Sequence, residues 1–193
     1  IAVAMIVVTL LMPVPVHVPA MVFLGSSALL VLLGQWDDVR DLPAKWRIGA
    51  QAAVALAMVF IAGVQAQNMH DVLGFEDISI GLFAVPFTVF VVVGVINAVN
   101  MVDGVDGLAG TLALVSLSLF FCFALYAGDL VMAQRLMVVC AAIAGFLVWN
   151  LRFPWQPKAR VFLGNGGSML LGFVIAWVSV RATHNPVHPV SPV

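Results

Sequence analysis

Three stretches of this 193-residue chain hold side chains whose types and spacing could do chemistry. In 34-GQWDDVRDLPAKWRIGAQ-51, Asp37 and Asp38 are adjacent. Neighbouring carboxylates repel unless a cation or a proton lies between them. Such hard oxygen ligands suit Mg2+, which takes one or two carboxylates together with substrate phosphates, and a carboxylate can also act as a general base. The competing explanation is a solvated loop in which Asp37, Asp38 and Asp41 balance Arg40, Lys45 and Arg47. In 97-NAVNMVDGVDGLAG-110, Asn97, Asn100, Asp103 and Asp106 recur every third residue, which on a helix lines them along one face. Gly104 and Gly107 work against a fully regular helix and let backbone approach a ligand closely. Asp106 could be a plain N-cap of the next helix, but that accounts for one residue of the four. In 164-GNGGS-168, glycines precede an apolar helix expected to begin near Met169. Free N–H groups at a helix N-terminus, with glycines permitting close approach, make an anion site that fits a phosphate. Taken alone, this third stretch reads as a Gly-rich interfacial turn capped by Ser168.

Together the stretches offer carboxylates for Mg2+, amides for a nucleotide or sugar, and a phosphate cradle. Lys45, Arg47, Lys158 and Arg160 would draw in an anionic substrate. The chemistry that needs this set is phosphoryl transfer, where positioning and charge neutralisation supply most of the catalysis.

The elements that must position these groups are apolar. The chain is 63% hydrophobic and 9% charged, with a mean hydropathy of +1.14, whereas a soluble domain carries about 25% charged residues. Lipid is therefore the expected solvent. The net charge of −1 excludes a broadly basic nucleic-acid binder, and Cys122 and Cys140 sit in apolar segments as small core residues rather than a disulfide or metal site. Apolar runs lie at about 1–12, 20–36, 48–66, 81–99, 108–127, 130–150 and 161–180. A span needs roughly 20 such residues, and continuous rather than alternating runs argue for helices over a β-barrel. The sequence thus predicts an all-α, polytopic membrane helix bundle, a single membrane domain over 1–193 with six spans and a truncated first one. The chain opens on Ile1 inside an apolar run and closes on Pro192-Val193, so we expect a fragment of a larger multi-span protein. Arg40, Lys45 and Arg47 in one loop and Arg152, Lys158 and Arg160 in another place 37–47 and 151–160 in the cytoplasm. The acidic 67–80, with Asp71, Glu76 and Asp77, falls outside. Alternation then brings 97–107 to the cytoplasmic side as well, and makes 13-PVPVHVP-19 an external connection. Arg135 and Arg181, near outer ends, run against the rule.

With Asp37-Asp38 followed by Lys45 and Gln51, the long 97-NAVNMVDGVDGLAG-110, and 162-FLGNGGSMLLGF-173 in that order, the sequence resembles the polyprenyl-phosphate N-acetylhexosamine-1-phosphate transferases over essentially its whole length. That group includes the initiators of O-antigen, enterobacterial common antigen and teichoic acid, and the peptidoglycan translocase. The 97–110 match is the specific one. Asn-Met-Val-Asp-Gly resembles the GlcNAc-1-phosphate branch more than the peptidoglycan branch. The resemblance implies a multi-pass enzyme of the bacterial inner membrane with its active site towards the cytoplasm. It would join a UDP-N-acetylhexosamine to undecaprenyl phosphate and release UMP, with Mg2+ (Mn2+ as a substitute), to start cell-envelope polysaccharides such as lipopolysaccharide O-antigen. A homodimer is compatible with it. By resemblance, Asp37 and Asp38 activate the lipid phosphate, and Asn100, Asp103 and Asp106 bind metal and nucleotide. Gly164, Gly166, Gly167 and Ser168 hold the diphosphate, and Lys45 and Asn97 join the substrate site.

Two departures from the family pattern stand out. The family usually has Asp, a principal Mg2+ ligand, where Asn165 stands, and Asn offers a neutral carbonyl oxygen instead. A variant leaning on Asn100, Asp103 and Asp106 is expected, with a catalytically impaired relative that binds lipid phosphate or nucleotide sugar as the alternative. The family's His-rich cytoplasmic loop is also missing. His17, His70, His184 and His188 read as ordinary loop residues. A transporter would bury its acids at mid-span, whereas Asp37, Asp38, Asp103 and Asp106 fall at span ends.

Overall fold

The computed structural model describes residues 18–66, 68–69 and 78–183. The first apolar run, most of the Pro-rich stretch, the acidic residues Asp71, Glu76 and Asp77, and His17, His70, His184 and His188 lie outside the described residues.

Six long helices fall on the remaining apolar runs: α1 (Val18–Arg40), α2 (Ala44–Phe60), α3 (Ala84–Val102), α4 (Leu108–Tyr126), α5 (Leu130–Asn150) and α6 (Gly164–Ala182). A two-residue antiparallel pair, β1 (Asn68–Met69) with β2 (Ile78–Ser79), and a short 3-10 turn at Gly81–Phe83 separate α2 from α3. Among the described residues, four helices are long and apolar enough to cross a membrane, namely α1, α4, α5 and α3 with its preceding 3-10 turn. The chain is a multi-pass membrane protein with an all-helical core. Helix α2 is shorter, and α6 opens on the polar Gly-Asn-Gly-Gly-Ser.

Helix α6 is the hub. It packs against α1, α3 and α4, and Leu170, Leu171, Phe173, Val174 and Ala176 along it are all buried. Lipid gives helices no hydrophobic reason to associate, so close approach of small residues does that work. A Cβ on Gly34 of α1 would lie 2.3 Å from the Cα of Gly166 on α6, and one on Gly172 would lie 2.6 Å from the Cα of Ile96 on α3. Outward-facing apolar residues such as Leu32, Phe90, Leu119 and Val148 remain exposed, as a lipid-facing surface requires.

The up-and-down order puts the end of α1, the start of α2, the end of α3, the start of α4, the end of α5 and the start of α6 at one end of the bundle. All three chemistry-bearing stretches therefore meet there. Two expectations change. Residues 164–168 are not a turn before a helix at Met169 but the first turn of α6, entered through Gly164 at φ +66°. The three-residue rhythm of Asn97, Asn100, Asp103 and Asp106 does not continue as one helical face, because α3 stops at Val102.

Candidate active site

The two adjacent aspartates do different jobs. Side chains one residue apart on a helix point about 100° apart, so Asp37 turns into the protein and Asp38 towards α6. Asp37 is 4% exposed. Its Oδ1 accepts the Leu42 N–H at 2.8 Å, and its Oδ2 accepts from Arg47 Nη1 at 2.8 Å and from Asn165 Nδ2 at 2.9 Å. One buried carboxylate thus ties α1, α2 and α6 together, and charged hydrogen bonds of this kind are the strong ones. Asp38 accepts the backbone N–H of Asn165 on both oxygens, at 3.1 and 3.2 Å. An amide expected to cradle a phosphate is therefore satisfied here by a carboxylate, as the positive end of a helix favours. A Cβ on Gly164 would sit 2.7 Å from Asp38 Oδ2, so glycine there serves both the positive φ and the approach of Asp38.

From α3, Asn97 donates to Gln51 Oε1 at 2.6 Å and to the Val93 carbonyl. Asn100 Nδ2 donates to Asn165 Oδ1 and to Ser168 Oγ, both at 2.8 Å. Ser168 is fully buried and donates back to the carbonyls of Gly164 and Asn165, so it braces the first turn of α6. Asp103 forms the C-cap of α3. Burial first, and then the negative fields of Asp38 and Asp106, push its carboxyl up to about 6. Asp106 turns to Arg152, accepting from Nε at 2.8 Å and pairing with the second guanidinium nitrogen at 2.7 Å.

These groups surround an open cleft of about 830 Å3. Asp38, Asn100, Asp103, Asn165, Gly164, Gly166 and Gly167 all line it, joined by Gln35 and Gly104, and Val31, Phe146, Phe162 and Leu170 form an apolar wall. Of the other sequence-predicted site residues, Asp37 and Ser168 stand behind the wall, bonded to Asn165 and Asn100, whereas Asn97 is turned to Gln51 on α2 and does not reach the cleft. Asp106 is engaged beside it by Arg152, and Lys45 is exposed near the start of α2.

Sequence reasoning passed over two contributors. Gln35 precedes Asp38 by three residues, a spacing that puts both on one face of α1. Asn150 is buried and bridges two loops, accepting from the Gly107 N–H at 2.8 Å and donating to the Val161 carbonyl at 2.8 Å. A lone amide closing an apolar helix was its only signal. The loop 151–163 is further knit by Gln156, whose Nε2 donates to the carbonyls of Trp149 and Leu151.

The donor set fits a hard divalent cation. Asp38 and Asp103 supply carboxylate oxygens, and Asn100, with its Nδ2 committed to α6, has an Oδ1 that accepts no hydrogen bond among the described residues. The Asp103 carboxyl is raised first by burial and then by Asp38 and Asp106, and a cation beside it would favour its charged form. No three His, Cys, Asp or Glu residues gather as a metal-binding group among the described residues. Asp38, Asp103 and Asn100 are too few to cage an ion by themselves, and a hard cation such as Mg2+ placed here would complete its shell with non-protein oxygens. Asn165 enters this set weakly, since both ends of its amide are already spent on Asn100 and Asp37.

A family model described as glycosyl transferase family 4 matches residues 20–183. The undecaprenyl-phosphate alpha-N-acetylglucosaminyl 1-phosphate transferase of Haemophilus influenzae is 36% identical over 171 residues, covering 89% of this chain and 48% of that protein. Proteins of the same name from Yersinia pestis and Escherichia coli K12 are 34% and 33% identical, covering 89% and 90% of this chain. The chain spans about half the length of these curated relatives.

Proposed function

The chain belongs to glycosyl transferase family 4, and on that premise we propose that it carries the catalytic cleft of a UDP-N-acetylglucosamine:undecaprenyl-phosphate sugar-1-phosphate transferase. The observation behind this reading is the convergence of Asp38, Asn100, Asp103 and the first turn of α6 on one cleft with a polar and a larger apolar side at an end of a membrane bundle. A lipid phosphate and a nucleotide sugar need such a place to meet, greasy on one wall and acidic, amide-rich on the other. Arg40, Arg47, Arg152, Lys158 and Arg160 gather at the same end, which under the positive-inside rule turns the cleft to the cytoplasm of the bacterial inner membrane.

In the reaction, an oxygen of the lipid phosphate attacks the sugar-bearing phosphorus of the UDP-sugar. The bond from that phosphorus to the oxygen bridging it to UMP breaks, UMP leaves, and a lipid-linked sugar diphosphate remains. Asp38 is the proton acceptor for the lipid phosphate, because it alone of the adjacent pair opens on the cleft. Asp37 positions: it fixes Asn165, which orients Asn100. Asp103 and Asn100 would hold Mg2+, which when bound neutralises the phosphate oxygens and lowers the repulsion between the two anions. Mn2+ would fit the same donors. Phe162 and Phe146 give the prenyl chain an apolar wall.

The alternative, a relative that binds without turnover, is favoured by one observation: the amide of Asn165 is spent on its neighbours. One assay separates the two. The whole protein in membranes receives labelled UDP-N-acetylglucosamine, undecaprenyl phosphate and Mg2+. Label moving into lipid with release of UMP supports the transferase. Folded protein that binds the nucleotide sugar and leaves all label in water refutes turnover.

A further inference from the structure

At the far end of the bundle from the cleft, α1, α5 and α6 enclose a second cavity of about 90 Å3. Its wall is apolar, with Phe23, Leu136, Trp177 and Val178 prominent, and among the described residues the only charged groups lining it are the guanidinium groups of Arg135 and Arg181. Phe23 and Trp177 meet edge to face at 5.2 Å along this wall. Arg135 lies in the second turn of α5 and Arg181 in the last turn of α6. These are the two basic residues that run against the charge asymmetry of the loops, and the fold brings them to one cavity. Among the described residues neither has an ion-pair partner. The acid at that helix end, Asp129, caps α5 through the Met132 N–H at 2.9 Å, and its charge attracts Arg135 without forming a contact pair. Two guanidinium groups facing a shared low-polarity space repel, and that arrangement is relieved by an anion that both can grip. The planar fork of arginine matches phosphate oxygens.

We propose that this cavity binds an anionic phospholipid of the leaflet opposite the cleft, its phosphate between Arg135 and Arg181 and the upper part of an acyl chain against Phe23, Leu136 and Trp177. The ends of spanning helices lie at headgroup level, and basic pockets between such helices take anionic headgroups. A free phosphate would satisfy the guanidinium pair but leave the apolar wall against water, so the lipid is the occupant that uses both halves of the cavity.

The test is native mass spectrometry of the whole protein in detergent with phosphatidylglycerol and phosphatidylcholine at equal concentration. Retained phosphatidylglycerol should exceed phosphatidylcholine by about tenfold, the value of one added charge-assisted contact. Arg135→Gln/Arg181→Gln should bring the two lipids to parity, with helicity by circular dichroism unchanged, and excess inorganic phosphate should not displace the lipid. Parity in the wild-type protein overturns the proposal whether or not the double variant folds. So does a preference that survives in the folded double variant. Displacement by inorganic phosphate would assign the site to a free anion, and a second copy of the chain covering the cavity would assign it to an interface.

Discussion

Replacing Asn165 by Asp tests the linkage of Asp37 to the cleft. Asn165 Nδ2 now donates to Asp37 Oδ2 at 2.9 Å, beside the Arg47 contact at 2.8 Å. Asn165→Asp removes that donor and puts an acceptor in its place. Losing a hydrogen bond to a buried charge costs about 1.5–3 kcal/mol. Two carboxylates about 4 Å apart repel by roughly 4 kcal/mol at an effective dielectric constant near 20, of which Arg47 offsets a part. Keeping a proton at pH 7 on a carboxyl of unfolded pKa near 4 costs about 4 kcal/mol and caps the penalty, so without metal the variant should be up to about 4 kcal/mol less stable at neutral pH. The introduced carboxyl escapes the repulsion by keeping its proton, so its folded-state pKa lies above the unfolded value near 4. A group raised in this way contributes stability below the unfolded pKa and loses it as pH rises through the folded one, so the deficit should shrink towards about pH 4 and widen towards neutrality. Mg2+ should reverse the trend, because a third carboxylate now faces the cation. At a hundredfold excess over its Kd, binding contributes about 2.7 kcal/mol. The assay is thermal unfolding of the whole protein, wild type against Asn165→Asp, with and without Mg2+ at acidic and neutral pH. A variant as stable as wild type without metal, or one whose unfolding temperature Mg2+ raises no more than that of wild type, would refute the reasoning.

Three more perturbations follow from the geometry. Asp103 titrates near 6, raised mainly by burial and then by Asp38 and Asp106. A cation must meet it deprotonated, so Mn2+ affinity measured by electron paramagnetic resonance should climb up to about tenfold per pH unit below 6, flatten above it, and lose that slope in Asp103→Asn. Because the folded pKa is the higher one, the metal-free protein should lose stability from this group as pH rises from 3.8 through 6. Gly34→Ala drives a methyl group to within 2.3 Å of Gly166. Overpacking of this kind costs about 1–3 kcal/mol, so an unchanged melting temperature would contradict the close approach of α1 and α6. Asn150→Ala leaves the Gly107 N–H and the Val161 carbonyl without their partner, at about 1–3 kcal/mol for a buried unsatisfied group, and hydrogen exchange over 151–163 should quicken.

Hydropathy alone carried the helices: α1 to α6 sit on the six apolar runs from 20–36 onward, because lipid allows a continuous apolar segment little else than helix. The end of the bundle holding the site was legible too, since charge asymmetry and alternation group 37–47, 97–107 and 151–160 before any packing is considered. Local spacing misled in two places. A three-residue rhythm predicts one face only while the helix lasts, and α3 ends at Val102, which frees Asp106 to reach Arg152. A glycine run next to an apolar segment reads as a turn, but Gly166 is glycine because α1 crosses there at Gly34, a contact no local pattern encodes. The division of labour within Asp37-Asp38 was equally out of reach. It depends on Asn165, 128 residues further along, which takes one aspartate by its side chain and the other by its backbone.

If Asp38 and Asp103 act from one cleft, the most direct test is transfer of labelled N-acetylglucosamine 1-phosphate to undecaprenyl phosphate by the whole protein carrying single Asp→Asn changes. Asp38→Asn and Asp103→Asn should each lower the rate by about a hundredfold or more, the scale of losing a proton acceptor or a metal ligand, in protein that remains folded. Asp129→Asn makes the same chemical change at the opposite end of the bundle, where Asn caps a helix as well as Asp, and should keep the rate within about twofold of wild type. Full activity in Asp38→Asn or Asp103→Asn, or an equal loss in all three, would contradict a shared catalytic cleft.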